Sequence, residues 1–169
     1  MLNDRCRSLA DSADLNAPLS CVISAAYFHA ESVSLEQLIR QLRTNQRCPV
    51  FLRMACAALR SITVDADNQK RAGDAGAIED LLRTIKAHQA APDVLAEACA
   101  ALGNITVDTD NQKRAGDAGA IEDVLRTIKA HQAAPDVLVE ACAALRSITV
   151  DADNQKRAGD AGAIEDLLR

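Results

Sequence analysis

Asn68, Asn111 and Asn154 each open the same run, Asn-Gln-Lys-Arg-Ala-Gly-Asp-Ala-Gly-Ala-Ile-Glu-Asp, at a spacing of 43 residues. The copies at 68–110 and 111–153 differ at only five positions, and a further copy runs from 154 to 169. A unit of roughly 20–45 residues cannot bury its apolar face alone, so tandem copies stack and share one continuous core. The material of that core is also constrained: 49% of the chain is apolar, yet only 2% is aromatic and there is no Trp. Leu, Ile, Val and Ala pack helices together more readily than they build a sheet rich in aromatic and β-branched residues. The expected class is all-α, with the copies stacked as an α-solenoid.

Within one unit, Asp67 reads as an N-cap and Asn68-Gln-Lys-Arg-Ala as a short helix that Gly73 ends. After a Gly73-Asp74-Ala75-Gly76 turn, Ala77 to Ala87 carries Ile78, Leu81, Leu82 and Ile85 at helical spacing. His88 to Ala91 reads as a loop. Pro92 suits the first position of a third helix running to about Val107, with Leu95, Ala98, Leu102 and Ile105 on its apolar face. A weaker copy precedes these, because Glu36, Leu38, Arg40, Gln46, Pro49 and Cys56 stand 43 residues before Glu79, Leu81, Arg83, Gln89, Pro92 and Cys99. Ser34 to Gln37 supplies a capping box for its second helix.

The resulting division is a lead-in with a capping helix over 1–31, a degenerate first repeat over 32–67, full repeats over 68–110 and 111–153, and a partial fourth over 154–169. The capping helix is expected within 18–30, where Leu19, Val22, Ile23, Ala26 and Tyr27 follow Pro18, and 1–16 reads as polar lead-in. At the other end, Arg169 stops the fourth unit after its second helix. The expectation there is either a fragment of a longer array or an apolar face, with Ile164, Leu167 and Leu168, that meets another chain and makes a homo-oligomer.

At this point the unit resembles the armadillo repeat, through Asn68, Asp74-Ala75-Gly76-Ala77-Ile78, Leu81-Leu82, Pro92, Glu97-Ala98, Ala101-Leu102 and Asn104-Ile105, over residues 32–169. The two-helix HEAT repeat lacks the short Asn-Gln-Lys-Arg helix and its glycine-bounded turn. What the resemblance implies is a right-handed superhelix of three-helix repeats whose third helices line a concave groove for extended peptides or protein partners. In the peptide-binding members of the family each third helix carries a Trp and, four residues later, an Asn that holds the ligand backbone. Here those positions are Ala57, Ala100 and Ala143, then Ser61, Asn104 and Ser147, so only Asn104 matches. The departure speaks against binding of a nuclear-localisation signal, which uses the aromatic slots and the amide ladder together.

Helical geometry marks the same groove independently. If Leu95, Ala98, Leu102 and Ile105 face the core, residues 96, 97, 100, 103, 104 and 108 form the adjoining stripe. The full copies differ at Leu81/Val124, Ala96/Val139, Gly103/Arg146, Asn104/Ser147 and Thr109/Ala152, and three of these five pairs lie on the stripe. The candidate groove therefore holds Arg60 and Ser61, then Glu97, Ala100, Gly103, Asn104 and Asp108, then Glu140, Ala143, Arg146, Ser147 and Asp151. Small side chains flanked by carboxylates describe a roomy, partly acidic channel for a basic or mixed-charge peptide. In that reading Glu97, Glu140 and the aspartates pair with Lys or Arg, and Asn104 grips the main chain. Lys70-Arg71, Lys113-Arg114 and Lys156-Arg157 read as solvated faces beside Asp67, Asp74 and their equivalents.

A net charge of -5 argues against a nucleic-acid backbone as the main partner. The apolar run from Cys21 to Phe28 is too short to span a bilayer and reads as no signal peptide. Cys56, Cys99 and Cys142 are one position repeated, and packed helices hold such equivalents about 10 Å apart, beyond disulfide reach. Cys6, Cys21 and Cys48 lack metal-ligand spacing, so reduced thiols and an intracellular, cytoplasmic or nuclear, location are expected. No metal or cofactor is expected: Lys70 stands where a calcium loop opened by Asp65 needs glycine, and His88 and His131 are loop positions without partners at zinc spacing. Gly73-Asp-Ala-Gly76 lacks both the preceding strand and the spacing of a dinucleotide loop. The function expected is non-catalytic protein interaction, with a self-associating oligomer or a consensus-built array as alternatives.

Overall fold

The structure, a computed structural model, describes residues 34–164, and over these residues it is helical with no strand. The expected capping helix within 18–30, together with Leu167 and Leu168, lies outside the described residues. The weaker first copy gives α1 (Leu35–Thr44) and α2 (Pro49–Ile62). The next gives α3 (Ala66–Asp74), α4 (Ala77–Ala87) and α5 (Pro92–Ile105), and its near-duplicate gives α6 (Thr109–Asp117), α7 (Ala120–Ala130) and α8 (Pro135–Ile148). The chain then enters α9 (Ala152–Asp160). The all-α expectation holds, and the second and third helices of each unit begin at the residues that the sequence predicts.

Local chemistry fixes these boundaries. Ser34 and Gln37 form the reciprocal capping box, Gln37 N–H donating to Ser34 Oγ at 3.3 Å and Ser34 N–H to Gln37 Oε1 at 3.0 Å. Proline occupies the first turn of α2, α5 and α8, where its missing N–H has no helical partner to lose. Gly76 and Gly119 adopt φ of 81° and 80°, a left-handed conformation that turns the short helix into the next one within two residues.

Two details of the short helix differ from the sequence reading. The cap is Asp65, not Asp67: Asp65 lies in extended backbone and accepts from Asn68 N–H at 3.1 Å, which leaves Asp67 inside the first turn. The run Asp-Ala-Asp offers two acids, and the one that can reach the third helical N–H takes the role. Nor does Gly73 end the helix, which continues to Asp74. Gly73 is buried against the next copy, where a Cβ would stand 1.7 Å from Asn111 Oδ1.

Each helix packs on its own counterpart one copy along: α2 on α5 and α5 on α8, α1 on α4 and α4 on α7, α3 on α6 and α6 on α9. The shared core runs through all of them, with Leu38, Leu42, Leu52, Leu59, Ile78, Leu81, Ile85, Leu95, Leu102, Ile105, Ile121, Val124 and Ile148 essentially sealed from solvent. Cys56 and Cys99 are buried and Cys142 half-buried, all as free thiols.

Polar bonds set the register between copies. Asp80, on α4 and almost fully buried, receives Arg43 Nε at 2.9 Å from the preceding copy and Arg83 at 2.7 Å from its own. Asp123 repeats this with Lys86 at 2.9 Å and Arg126 at 3.0 Å. Gln46 and Gln89 donate to Thr84 and Thr127 at 3.0 and 3.3 Å across the same two boundaries. The Lys-Arg pairs of the short helices also work between copies, since Arg114 reaches Asp74 and Arg157 reaches Asp117, while Arg71 binds Glu36. That guanidinium holds the Glu36 carboxyl below its ordinary value.

Candidate functional site

The third helices α2, α5 and α8 lie side by side, and the predicted stripe runs across them. Their small residues allow the close approach: a Cβ at Gly103 would sit 3.3 Å from Ala144 Cα on α8. Ala100 is only 5% exposed, so α5, sandwiched between its two counterparts, presents little of itself at that position. Ala143 and Ser147 on α8 are half-buried, and Arg146 is exposed.

Several groove candidates are occupied by the fold itself. Asp108 and Asp151 cap α6 and α9, each accepting two backbone N–H groups within the first turn at 3.0 or 3.1 Å. Their carboxylates serve the helix start. Asn104 donates Nδ2–H to Arg60 O on the preceding copy at 2.9 Å, so the amide expected to hold a ligand backbone holds α2 instead. Ser61 donates to Ala57 O at 3.0 Å within α2. These uses follow from position, because each side chain sits at a helix end or within reach of a main-chain carbonyl.

Glu97 and Glu140 stand at the same position of neighbouring copies but differ in their partners. Arg60 reaches from α2 to Glu97 on α5 at 3.3 Å, and Arg53, two turns earlier, comes within 3.9 Å of Asp93. One copy along, the acids recur as Asp136 and Glu140, but Ala96 and Gly103 stand where Arg53 and Arg60 stood. No ion pair to Asp136 or Glu140 exists among the described residues. Both arginine positions changed in the same copy, and both losses fall on one face. The two carboxylates lie one helical turn apart, about 6 Å along the axis of α8.

An open crevice of about 600 Å³ crosses this face, lined by Arg53, Arg60, Asp93 and Glu97 on one side and by Asp136, Val139 and Glu140 on the other. Val139 is 65% exposed, an apolar patch between the unpaired acids. The crevice thus grades from arginine–carboxylate pairs at α2 and α5 to free carboxylates around an apolar side chain at α8. Sequence comparison of the copies points to Ala96 and Gly103 as variable. It does not reveal the loss of partners at Asp136 and Glu140, which depends on which residue faces which across the helix pair. Counting acids and bases at matching positions of neighbouring copies would have found it.

The buried thiols of α2 and α5 are inert. Burial pushes the Cys99 thiol up to about 12, with the Glu140 charge adding to it. Burial raises Cys56 too, with Glu97 contributing. Neither supplies a thiolate near neutral pH. Among the described residues no group of His, Cys, Asp and Glu is arranged to hold a metal ion, and no helix is long and apolar enough to cross a membrane. Comparison with family models, with curated proteins and with solved structures finds no match to the chain.

Proposed function

We propose that this chain is a non-catalytic protein-interaction module, an armadillo-type solenoid whose third-helix groove receives an extended basic or mixed-charge peptide segment. The observation that carries the reading is the pair Asp136 and Glu140, stripped of the arginines that their equivalents Asp93 and Glu97 hold across the preceding boundary. A ligand cation at each acid completes the pattern already built at α2 and α5. Carboxylates one turn apart match two side chains on the same side of an extended segment, whose alternate residues stand about 6.8 Å apart. Val139, exposed between the acids, gives the aliphatic stem of a Lys or Arg a surface to lie on. The armadillo reading rests on the residue pattern, on the order of short, medium and long helices, and on the packing of each helix against its counterpart one copy along.

The test is a titration of the full chain with an extended peptide carrying Arg at alternate positions, followed by calorimetry at two salt concentrations. Wild type binds and weakens with salt. The double variant Asp136→Lys/Glu140→Lys loses at least tenfold in affinity, since two exposed pairs are worth about 0–1 kcal/mol each and their reversal adds repulsion. Ala96→Arg supplies Asp136 with an internal partner and weakens binding by a few fold, within the same 0–1 kcal/mol range. Equal affinity of wild type and double variant, or no binding to either, sinks the proposal.

A further inference from the structure

Thr63, Thr106 and Thr149 follow the last turns of α2, α5 and α8, and polar side chains fix the turn that each begins. The threonine hydroxyls donate back to Leu59 O, Leu102 O and Leu145 O at 2.8, 2.9 and 2.8 Å. Asp65, Asp108 and Asp151 cap the short helix that comes next. Between threonine and aspartate stands a valine whose side chain takes no part in this bonding. The N–H groups of Val107 and Val150 donate to Asn104 O and Ser147 O at 3.2 and 3.4 Å, a bond that any residue other than proline would make. The side chains of Val64, Val107 and Val150 are 75%, 60% and 63% exposed.

A single exposed valine needs no explanation, but three of the six large apolar side chains exposed among the described residues are this one position. Because α2, α5 and α8 pack side by side, the valines repeat about every 10 Å in a row. Their branched Cβ leaves few rotamers, so the row is stiff before any partner arrives. None of them lines the crevice of Asp136 and Glu140, which makes this a separate surface. Its surroundings are acidic. Each valine has two carboxylates within three residues, whereas the nearest Arg or Lys in sequence is at least four residues away. Of these acids Asp67, Asp110 and Asp153 are exposed and form no ion pair among the described residues.

We propose that Val64, Val107 and Val150 dock a basic amphipathic helix of a partner protein, with an aliphatic residue at every seventh position and Lys or Arg beside it to meet Asp67, Asp110 and Asp153. Spacing selects the helix. Seven helical residues advance about 10.5 Å and return to nearly the same face, so one aliphatic side chain falls on each valine. An extended segment repeats a face about every 6.8 Å and is out of step by the second valine. Charge selects a basic partner over a second copy of this chain, because two such faces brought together would set carboxylates against carboxylates. Cations three or four residues from each aliphatic anchor lie on the flank of the same helical face, within reach of the acids.

The probe is an alanine-based helical peptide of about three heptads, with Leu at every seventh position and Lys three residues after each Leu, titrated into the isotopically labelled full chain. The expected result is saturable shifts of the Val64, Val107 and Val150 methyl signals. Val64→Thr/Val107→Thr/Val150→Thr keeps the branched shape in a solvent-facing turn, so the variant folds, and it weakens binding by roughly tenfold or more. A peptide of the same composition with Leu at every sixth position loses a similar factor, because its leucines no longer share a face. Asp67→Lys/Asp110→Lys/Asp153→Lys weakens binding and flattens its salt dependence. Asp136→Lys/Glu140→Lys leaves it unchanged, and the threonine variant still binds the alternating-arginine peptide, so this surface and the crevice fail independently. Equal binding by the threonine variant or by the six-residue peptide, or shifts confined to α8 around Asp136 and Glu140, overturns the proposal. So does a dimer of the unliganded chain in sedimentation that the threonine variant dissociates, because a second copy would then be the occupant.

Discussion

A methyl group at Gly116 would stand 1.9 Å from Asn154 Oδ1, so Gly116→Ala destabilises the protein even though alanine is the better helix former. The expected loss is about 1–3 kcal/mol, the usual cost of forcing extra volume into a packed site, and a urea midpoint measures it. Asn111→Ala tests the other side of the contact. It strips the Gln69 and Ile105 carbonyls of their partner in a buried place, at a cost of about 1–3 kcal/mol. The thiol of Cys99 gives a pH signature at the same scale. It titrates at an ordinary 9.0 in the unfolded chain and at about 12 when folded, so the native state holds the extra proton between those values. Stability present below pH 9.0 is therefore lost as pH rises toward 12, and Cys99→Ala flattens that alkaline limb of the stability curve. None of these roles is written in the residue types alone. Gly73 reads as a helix stop in the sequence because glycine ends many helices, and only the neighbour that fills its missing side chain explains why it lies inside one.

Among the helices, the apolar periodicity of α4 and α5 is plain in the sequence, as are the prolines that start α2, α5 and α8, because both signals are local. The start of α3 is less plain, with two acids two residues apart competing for one role. Asp65→Ala removes the acceptor for Asn68 N–H and costs about 1 kcal/mol. Asp67→Ala removes only a favourable charge near the helix start, about 0.3–1 kcal/mol at low salt and less as salt rises. Thermal melts of both variants at low and high salt separate the two, because a cap bond survives screening and a dipole interaction does not. Of the residues predicted to line a groove, Arg60, Glu97 and Glu140 line the observed crevice. Asp108, Asp151 and Asn104 do not line it, and each is held by a helix start or a facing carbonyl, which residue type alone does not reveal.

Among the described residues, the unit at 68–110 is the one with a copy packed on either side of it. Hydrogen exchange mapped along the chain is expected to be slowest in α4 and α5, where more than half of the residues are buried, and faster in α9, where only Asn154 and Ala158 are buried. Equal protection of α9 and α5 in the full chain would contradict that gradient. The repeat itself was legible because near-identity survives reading as text. The direction in which copies bind each other was not, since it rests on bonds between residues 42 positions apart, such as Asn111 with Gln69.

The lock between Asn111 and Gly73 is repeated by Asn154 and Gly116 with the same donors and acceptors at matching distances. Any copy's key thus fits any copy's socket. Insertion or deletion of one whole 43-residue unit would again set asparagine against glycine at the new junction of short helices, whereas a change of any other length would set asparagine against a side chain. The array can grow or shrink in quanta, and its interfaces tolerate no other step.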